Sequence, residues 1–134
     1  MESIFQQIIQ GDVPCHRIYE NQFVLAFLDV SPLSKGHTLV IPKQQVACLH
    51  ELSEESASAI GEALVIVSRA IVRATGIVEY NILQNNGALA HQAVFHVHFH
   101  IIPKPTRDHG LQFTWQPIEL EQGEILAQEI RNAI

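Results

Sequence analysis

Cysteine is scarce in this chain: Cys15 and Cys48 are its only two, they lie far apart, and they form no CxxC pair. A disulfide framework and a thiolate zinc site therefore have no footing here. No apolar run approaches the roughly 20 residues that a membrane helix requires. One of the longest, Ala63 to Val67, is bounded by Glu62 on one side and by Ser68 and Arg69 on the other. The N-terminus, Met1-Glu2-Ser3-Ile4-Phe5-Gln6, has no basic segment leading into an apolar core, which argues against a secretory signal. Cytoplasmic residence is the expectation, with the nucleus open in a eukaryote. Basic residues are also few. Eight Lys and Arg, unclustered, stand against fourteen Asp and Glu, and the formal charge is −6 with histidines neutral. That balance argues against nucleic acid as a partner but leaves a small phosphorylated ligand open, since one pocket can be locally positive. Neither GxGxxG nor GxxxxGKS/T occurs, so any phosphate is held by something other than a Rossmann or Walker loop.

What is present is enough apolar material for a core: 134 residues, 47% hydrophobic and 16% charged, the proportions of one globular domain. No internal repeat or linker divides residues 1–134. Glu2 to Gln10 carries Ile4, Phe5, Ile8 and Ile9 on one helical stripe, with Gly11 where a helix stops. His16–Glu20 and Phe23–Asp29 predict a hairpin around Asn21-Gln22, and His37–Pro42 a further strand. Ser53, Glu54 and Glu55 start the main helix, whose apolar face runs through Ile60, Ala63, Leu64, Val67, Ala70, Ile71 and Ala74 to a stop at Gly76. Val78–Gln84 and Val94–Ile102 predict two more strands, joined by a loop with Asn85-Asn86-Gly87. Residues 121–133 suit a final helix. Strands flanked by helices without regular βαβ alternation imply an α+β fold, an antiparallel sheet with helices packed on it.

The chemistry concentrates in His96-Val97-His98-Phe99-His100-Ile101-Ile102. On a strand, His96, His98 and His100 share one face and Val97, Phe99 and Ile101 the other. Successive histidines then stand about 6.6 to 6.8 Å apart along the strand, which puts the outer two roughly 13 Å apart. Zinc sits about 2.0 to 2.1 Å from each imidazole nitrogen, so a straight strand offers one ion two of these rings but hardly all three. No carboxylate follows until Asp108. Metal is therefore not expected, and no cofactor is. A structural role, the common reading for one strand histidine, is implausible for three on one face.

This His-Val-His-Phe-His-Ile-Ile stretch resembles the signature of the histidine triad (HIT) superfamily. The resemblance extends through the Ile4-Phe5 helix, Leu25-Ala26-Phe27-Leu28-Asp29-Val30, Gly36-His37-Thr38-Leu39-Val40-Ile41-Pro42-Lys43, Asn85, and Gln92 leading into the triad, a pattern similar to the Hint branch. It implies a HIT-like five-stranded antiparallel sheet with one long and one short helix and a C-terminal extension over 110–134. It also implies a homodimer with a nucleotide site in each protomer, and hydrolysis of purine nucleoside phosphoramidates to nucleoside monophosphate and amine.

By position in that pattern, His98 is the nucleophile that forms a covalent nucleotidyl-histidine, a task suited to an imidazole that is neutral near physiological pH. His96 and His37 correspond to groups that orient or relay protons, and His100 to a donor to a non-bridging phosphate oxygen. Asp29 corresponds to the ribose acceptor. Asn85, Gln92, Ala93 and Val94 fall on the phosphate side, and Phe5, Ile8, Ile18, Phe27 and Val30 around the base. Taken alone, Asn85 and Gln92 would be loop-stabilising amides and the apolar residues core. The sequence also departs from the pattern. Ala93 replaces a serine that can donate to the leaving nitrogen, and His91 stands where glycine is frequent. Ser3 and Gln6 occupy the places of a CxxC zinc pair, leaving His50 without thiolate partners, so no structural zinc is expected. Trp115 is either a packing aromatic or a group reaching the partner's site. Dinucleoside polyphosphate hydrolysis of the Fhit type and a nucleotide-binding scaffold are the alternative functions.

Overall fold

The computed structural model describes residues 2–134 and orders its elements as α1 (Ile4–Gln10), β1 (Arg17–Glu20), β2 (Val24–Leu28), β3 (Thr38–Pro42), α2 (Glu54–Thr75), β4 (Tyr80–Gln84), β5 (Phe99–Pro103) and α3 (Gly123–Asn132). The five strands form one antiparallel sheet in the order β1-β2-β3-β5-β4. This is the α+β architecture expected from the pattern of elements. Among the described residues no helix is long and apolar enough to cross a membrane.

Local signals explain where the helices begin and end. The Ser3 hydroxyl accepts from the Gln6 amide at 3.0 Å and starts α1, while Gly11 closes it at φ 86°. Ser53 accepts from the Ser56 amide at 3.1 Å, Glu54 and Glu55 sit at the positive end of α2, and Gly76 ends it at φ 74°. In the hairpin between β1 and β2, the Asn21 side-chain oxygen accepts from the amides of Phe23 and Val24, so the turn is built by one residue.

Alternation along the strands divides the core in two. Val24, Ala26, Val40 and Ile101 pack against Ala59, Ile60, Ala63, Val67 and Ile71 of α2. Leu25, Phe27, Leu39 and Ile41 face the other way, against Phe5 and Ile8 of α1. Because both faces are covered, β2 and β3 are almost wholly buried and have continuous apolar sequences. The buried stripe of α2 is narrower than its apolar sequence, since Ala70 and Ala74 are exposed.

The last strand starts well after the point the sequence suggests. The expected strand Val94–Ile102 begins only at Phe99, so His96 and His98 precede it. Its pairing with β3 places Thr38 opposite Ile101 and Val40 opposite Phe99. Continued, that register would set Pro42 opposite Val97, and proline has no N–H to give the ladder. The Val97 amide instead donates to the Val46 carbonyl at 2.9 Å.

After β5 the chain is secured by the Gly110 amide, which donates to the Leu33 carbonyl at 3.1 Å, and by the Ser34 hydroxyl, which donates to the Pro103 carbonyl at 2.6 Å. Beyond Leu111 the residues are almost all exposed, and α3 buries none of its side chains. Gly110 has φ +90°, and a Cβ there would lie 2.7 Å from the Pro103 carbonyl oxygen. Gly110→Ala is expected to lower stability by about 1 to 3 kcal/mol, read as a fall in the urea midpoint with unchanged slope. An unaltered midpoint would contradict this account of the turn.

Candidate active site

Strand alternation sets Leu25, Phe27 and Asp29 on the α1 side of the sheet, together with His37, Leu39 and, opposite Leu39, His100. His98 joins them from the segment before β5, its ring 5.0 Å from that of His100 and 4.9 Å from that of Phe5. His37, His96 and His98 are buried, and His100 is half-buried.

Main-chain groups decide where three of the rings carry their proton, and the fourth follows from its neighbour. His98 Nδ1 lies 2.8 Å from the His96 carbonyl, which can only accept, so the proton is on Nδ1 and the Nε2 lone pair is free. His96 Nε2 lies 2.8 Å from the Pro42 carbonyl and carries the proton for the same reason. The other nitrogen of His96 faces the Ser3 hydroxyl at 3.0 Å. His37 is fixed in the opposite sense: the Leu33 amide donates to its Nδ1 at 3.0 Å, leaving the ring proton on Nε2. That proton points at His100 Nδ1, 2.9 Å away, and at Asp29 Oδ2, 3.4 Å away. His100, accepting on Nδ1, holds its own proton on Nε2.

Burial pushes all four imidazoles below their ordinary pKa. For His96 and His98, desolvation outweighs backbone hydrogen bonds that favour the charged form. For His37 it outweighs attraction to Asp29. His100 falls furthest, to about 4, through desolvation and then through the neighbouring rings of His98 and His37. Near neutral pH the cluster is uncharged, with one nucleophilic nitrogen at its centre.

Asp29, His37 and His100 could offer a cation three ligand atoms within 4.8 Å of one another. The hydrogen bond on the far side of His37 opposes this. A neutral histidine that ligates through Nε2 must hold its proton on Nδ1, and the Leu33 amide already occupies that position of His37 as a donor. The donor set suits a hydrogen-bond chain better than a metal. At the other end of the cluster, the Ser3 hydroxyl faces the free nitrogen of His96, Gln6 Oε1 is buried without a hydrogen-bond partner among the described residues, and His50 is exposed.

The remaining predicted residues divide. The Gln92 side chain is committed to its own loop: it accepts from the Gly87 amide at 2.7 Å and donates to the carbonyls of Ala47 and Val94 at 2.7 and 3.0 Å. These are the bonds of the loop-stabilising alternative. Asn85 donates weakly to the His91 carbonyl, at 3.4 Å. His91 adopts a left-handed conformation, φ 68°, which explains the preference for glycine there. Ala93 is exposed, and Val94 packs on the α1 cluster. Phe5, Ile8 and Phe27 belong to that cluster, whereas Ile18, in a β1 irregularity beside Phe27, and Val30 are exposed. Trp115 is exposed and stacks edge-on with Phe113 at 5.2 Å. Sequence reasoning missed Ser3 as a partner of His96, and missed the Leu33 amide and the Pro42 carbonyl. Only the first is a side chain.

The HIT domain family profile matches residues 10–107. An adenosine 5'-monophosphoramidase of Schizosaccharomyces pombe is 49% identical over 136 aligned positions, covering 100% of this chain and 99% of that protein. An adenylylsulfatase of Arabidopsis thaliana is 44% identical over 80% of this chain and 54% of its own length. Among solved structures, a HIT family protein from Bacillus subtilis superimposes with a TM-score of 0.94 at 37% identity, covering 100% of this chain and 98% of that one.

The buried neutral histidines imply a pH dependence of folding. The unfolded chain takes up protons below the ordinary histidine pKa of about 6.5, and the folded chain resists them. Stability is therefore full above that value and lost as pH falls toward about 4, where His100 titrates. Urea midpoints are expected to drop between pH 7 and 5, with a shallower slope in His100→Asn. A flat or rising profile over that interval would show that these rings are not held neutral.

Proposed function

The chain belongs to the HIT family, and from that premise we propose that it hydrolyses purine nucleoside phosphoramidates to nucleoside monophosphate and amine. The observation that carries the reading is the His98 Nδ1 bond to the His96 carbonyl, which leaves Nε2 as an unprotonated nucleophile in a cluster that stays neutral at physiological pH. His98 Nε2 attacks the α-phosphorus, and the P–N bond breaks. Its electron pair leaves with the amine, which takes up one proton. Water then attacks the nucleotidyl-histidine, the P–Nε2 bond breaks, its electron pair returns to His98, and the proton lost by water restores the balance.

His100 is assigned to a non-bridging oxygen through its Nε2 proton, where charge grows in the transition state. His37 is assigned to holding His100 in that tautomer. The Leu33 amide blocks reprotonation of His37 at Nδ1, which favours an orienting role over a relay. Asp29 accepts from the ribose hydroxyls; its Oδ1 receives the Ser31 amide at 2.8 Å and Oδ2 faces the histidines. Phe5, Ile8, Ile18, Phe27 and Val30 bound the base, and Asn85, Gln92, Ala93 and Val94 shape the phosphate side, Gln92 by fixing the loop. Residues 1–134 act as one HIT domain with an extension from 110, in the cytoplasm.

The same two steps serve any adenylyl group with a competent leaving group. The adenylylsulfatase relative makes adenosine 5'-phosphosulfate the second substrate to test. On rapid mixing with a labelled AMP-amine conjugate, a covalent nucleotidyl adduct is expected on His98. His98→Ala should bind AMP normally and lose turnover by about a thousandfold or more. Retained turnover in that variant, or faster cleavage of diadenosine triphosphate than of the phosphoramidate, would redirect the assignment.

The functional unit is a homodimer. β4 is an edge strand, and with α2 it borders a groove of about 530 Å³ lined by Leu64, Val65, Tyr80 and Ile82 and flanked by Arg69 and Arg73. Val65, Tyr80 and Ile82 are exposed, an apolar patch that a second copy would cover. Sedimentation equilibrium should give twice the chain mass, and Val65→Asp should shift it to the monomer; a monomeric wild type excludes the dimer.

A further inference from the structure

We propose that Ser3, the residue that caps α1, is a positioning residue for the nucleophile, acting through His96. This rests on the phosphoramidase reading, in which His98 attacks.

Ser3 Oγ accepts from the Gln6 amide at 3.0 Å. Its remaining hydrogen-bond capacity meets His96 Nδ1 at 3.0 Å. His96 Nε2 must donate to the Pro42 carbonyl, so in the neutral ring Nδ1 is an acceptor and the serine hydroxyl is the donor. The chain is directional: Gln6 N–H to Ser3 Oγ, Ser3 O–H to His96 Nδ1, His96 Nε2–H to Pro42 O. The His96 ring is wholly buried and held at both nitrogens, by the start of α1 on one side and the end of β3 on the other.

The consequence lies in the main chain of the same residue. The peptide joining His96 to Val97 is fixed on its N–H side by the Val46 carbonyl at 2.9 Å, and on its C=O side it receives His98 Nδ1–H at 2.8 Å. That carbonyl sets the tautomer and direction of His98. Ser3 thus holds the side chain of the residue whose carbonyl aims the nucleophile. Phe5, two residues on in the first turn of α1, meets both rings edge-on, at 5.9 Å from His96 and 4.9 Å from His98. The first turn of α1 therefore supports the nucleophile through a hydrogen bond and through packing, without touching the phosphate.

The two functions of Ser3 separate by substitution. Ser3→Thr keeps the cap and the donor. Ser3→Asp keeps a capping acceptor but has no proton to give, and it draws one onto His96 Nδ1. Ser3→Gly removes the donor with little loss of capping. Nitrogen-15 NMR of the intact protein should show His96 as the neutral Nε2–H form in wild type and Ser3→Thr, and protonated at Nδ1 in Ser3→Asp. On an adenosine phosphoramidate, kcat should fall about tenfold in Ser3→Asp and Ser3→Gly with KM and AMP affinity unchanged, and Ser3→Thr should stay within about twofold of wild type. If Ser3→Asp does not fold, Ser3→Gly decides by its kcat alone. Wild-type kcat in the donor-less variants, or a kcat loss with the His96 signals unmoved in Ser3→Asp, overturns the proposal. A wild-type protein inactive on phosphoramidates would refute the functional reading instead, and the His96 tautomer would still report on Ser3.

Discussion

The hydrogen bond from His98 Nδ1 to the carbonyl two residues back is the interaction on which the site depends. An imidazole free to choose its tautomer offers a given nitrogen as a lone pair only part of the time. A carbonyl acceptor removes the choice, because it cannot donate. The same logic recurs around the cluster, with the Pro42 carbonyl fixing His96 and the Leu33 amide fixing His37. Burial supplies the second half of the constraint. It keeps the rings neutral, so the protons stay where the main chain puts them.

The fold can be understood as the means of bringing these main-chain groups together. The central strands β2 and β3 are buried on both faces and form a rigid floor. His37 stands at the start of β3 and Pro42 at its end, and each meets a different histidine. A proline at that end has two effects. It withholds an N–H from the ladder, releasing the segment of His96 and His98 from strand geometry, and it presents a carbonyl to one of the freed rings. The loop over residues 85–92 is stabilised separately, through Gln92.

Much of this was legible in the sequence, for identifiable reasons. The capping Ser53, the closing glycines and the apolar stripe of α2 placed helix limits within a few residues, because those signals are local. The faces of β2 and β3 stayed hidden, because both strands are apolar on each side and only what packs there tells the two apart. The early onset expected for the last strand failed at His96 and His98, where a long-range partner overrides the apolar periodicity. The histidines themselves were conspicuous, but their proton positions were not, since carbonyls and amides carry no signature in a string of side chains. Ser3 stood out in the sequence only as a place without a zinc thiolate; it caps α1, and its second bond spans 93 residues of sequence. Gln92 shows the converse: its loop bonds were foreseeable from residue type, and the family pattern pointed past them to phosphate.

The C-terminal arm leaves the body of the protein at Gly110, and Gly110 is bonded to Leu33, the residue whose amide fixes His37. The arm is thus anchored one residue from the hydrogen-bond chain of the histidine cluster. A displacement of Gly110 bears on Leu33 as well as on β4, whose Asn81, Ile82 and Leu83 border a hollow with Leu111, Phe113 and Trp115 of the arm. The outermost part of the molecule is thereby mechanically tied to the orientation of a single buried ring.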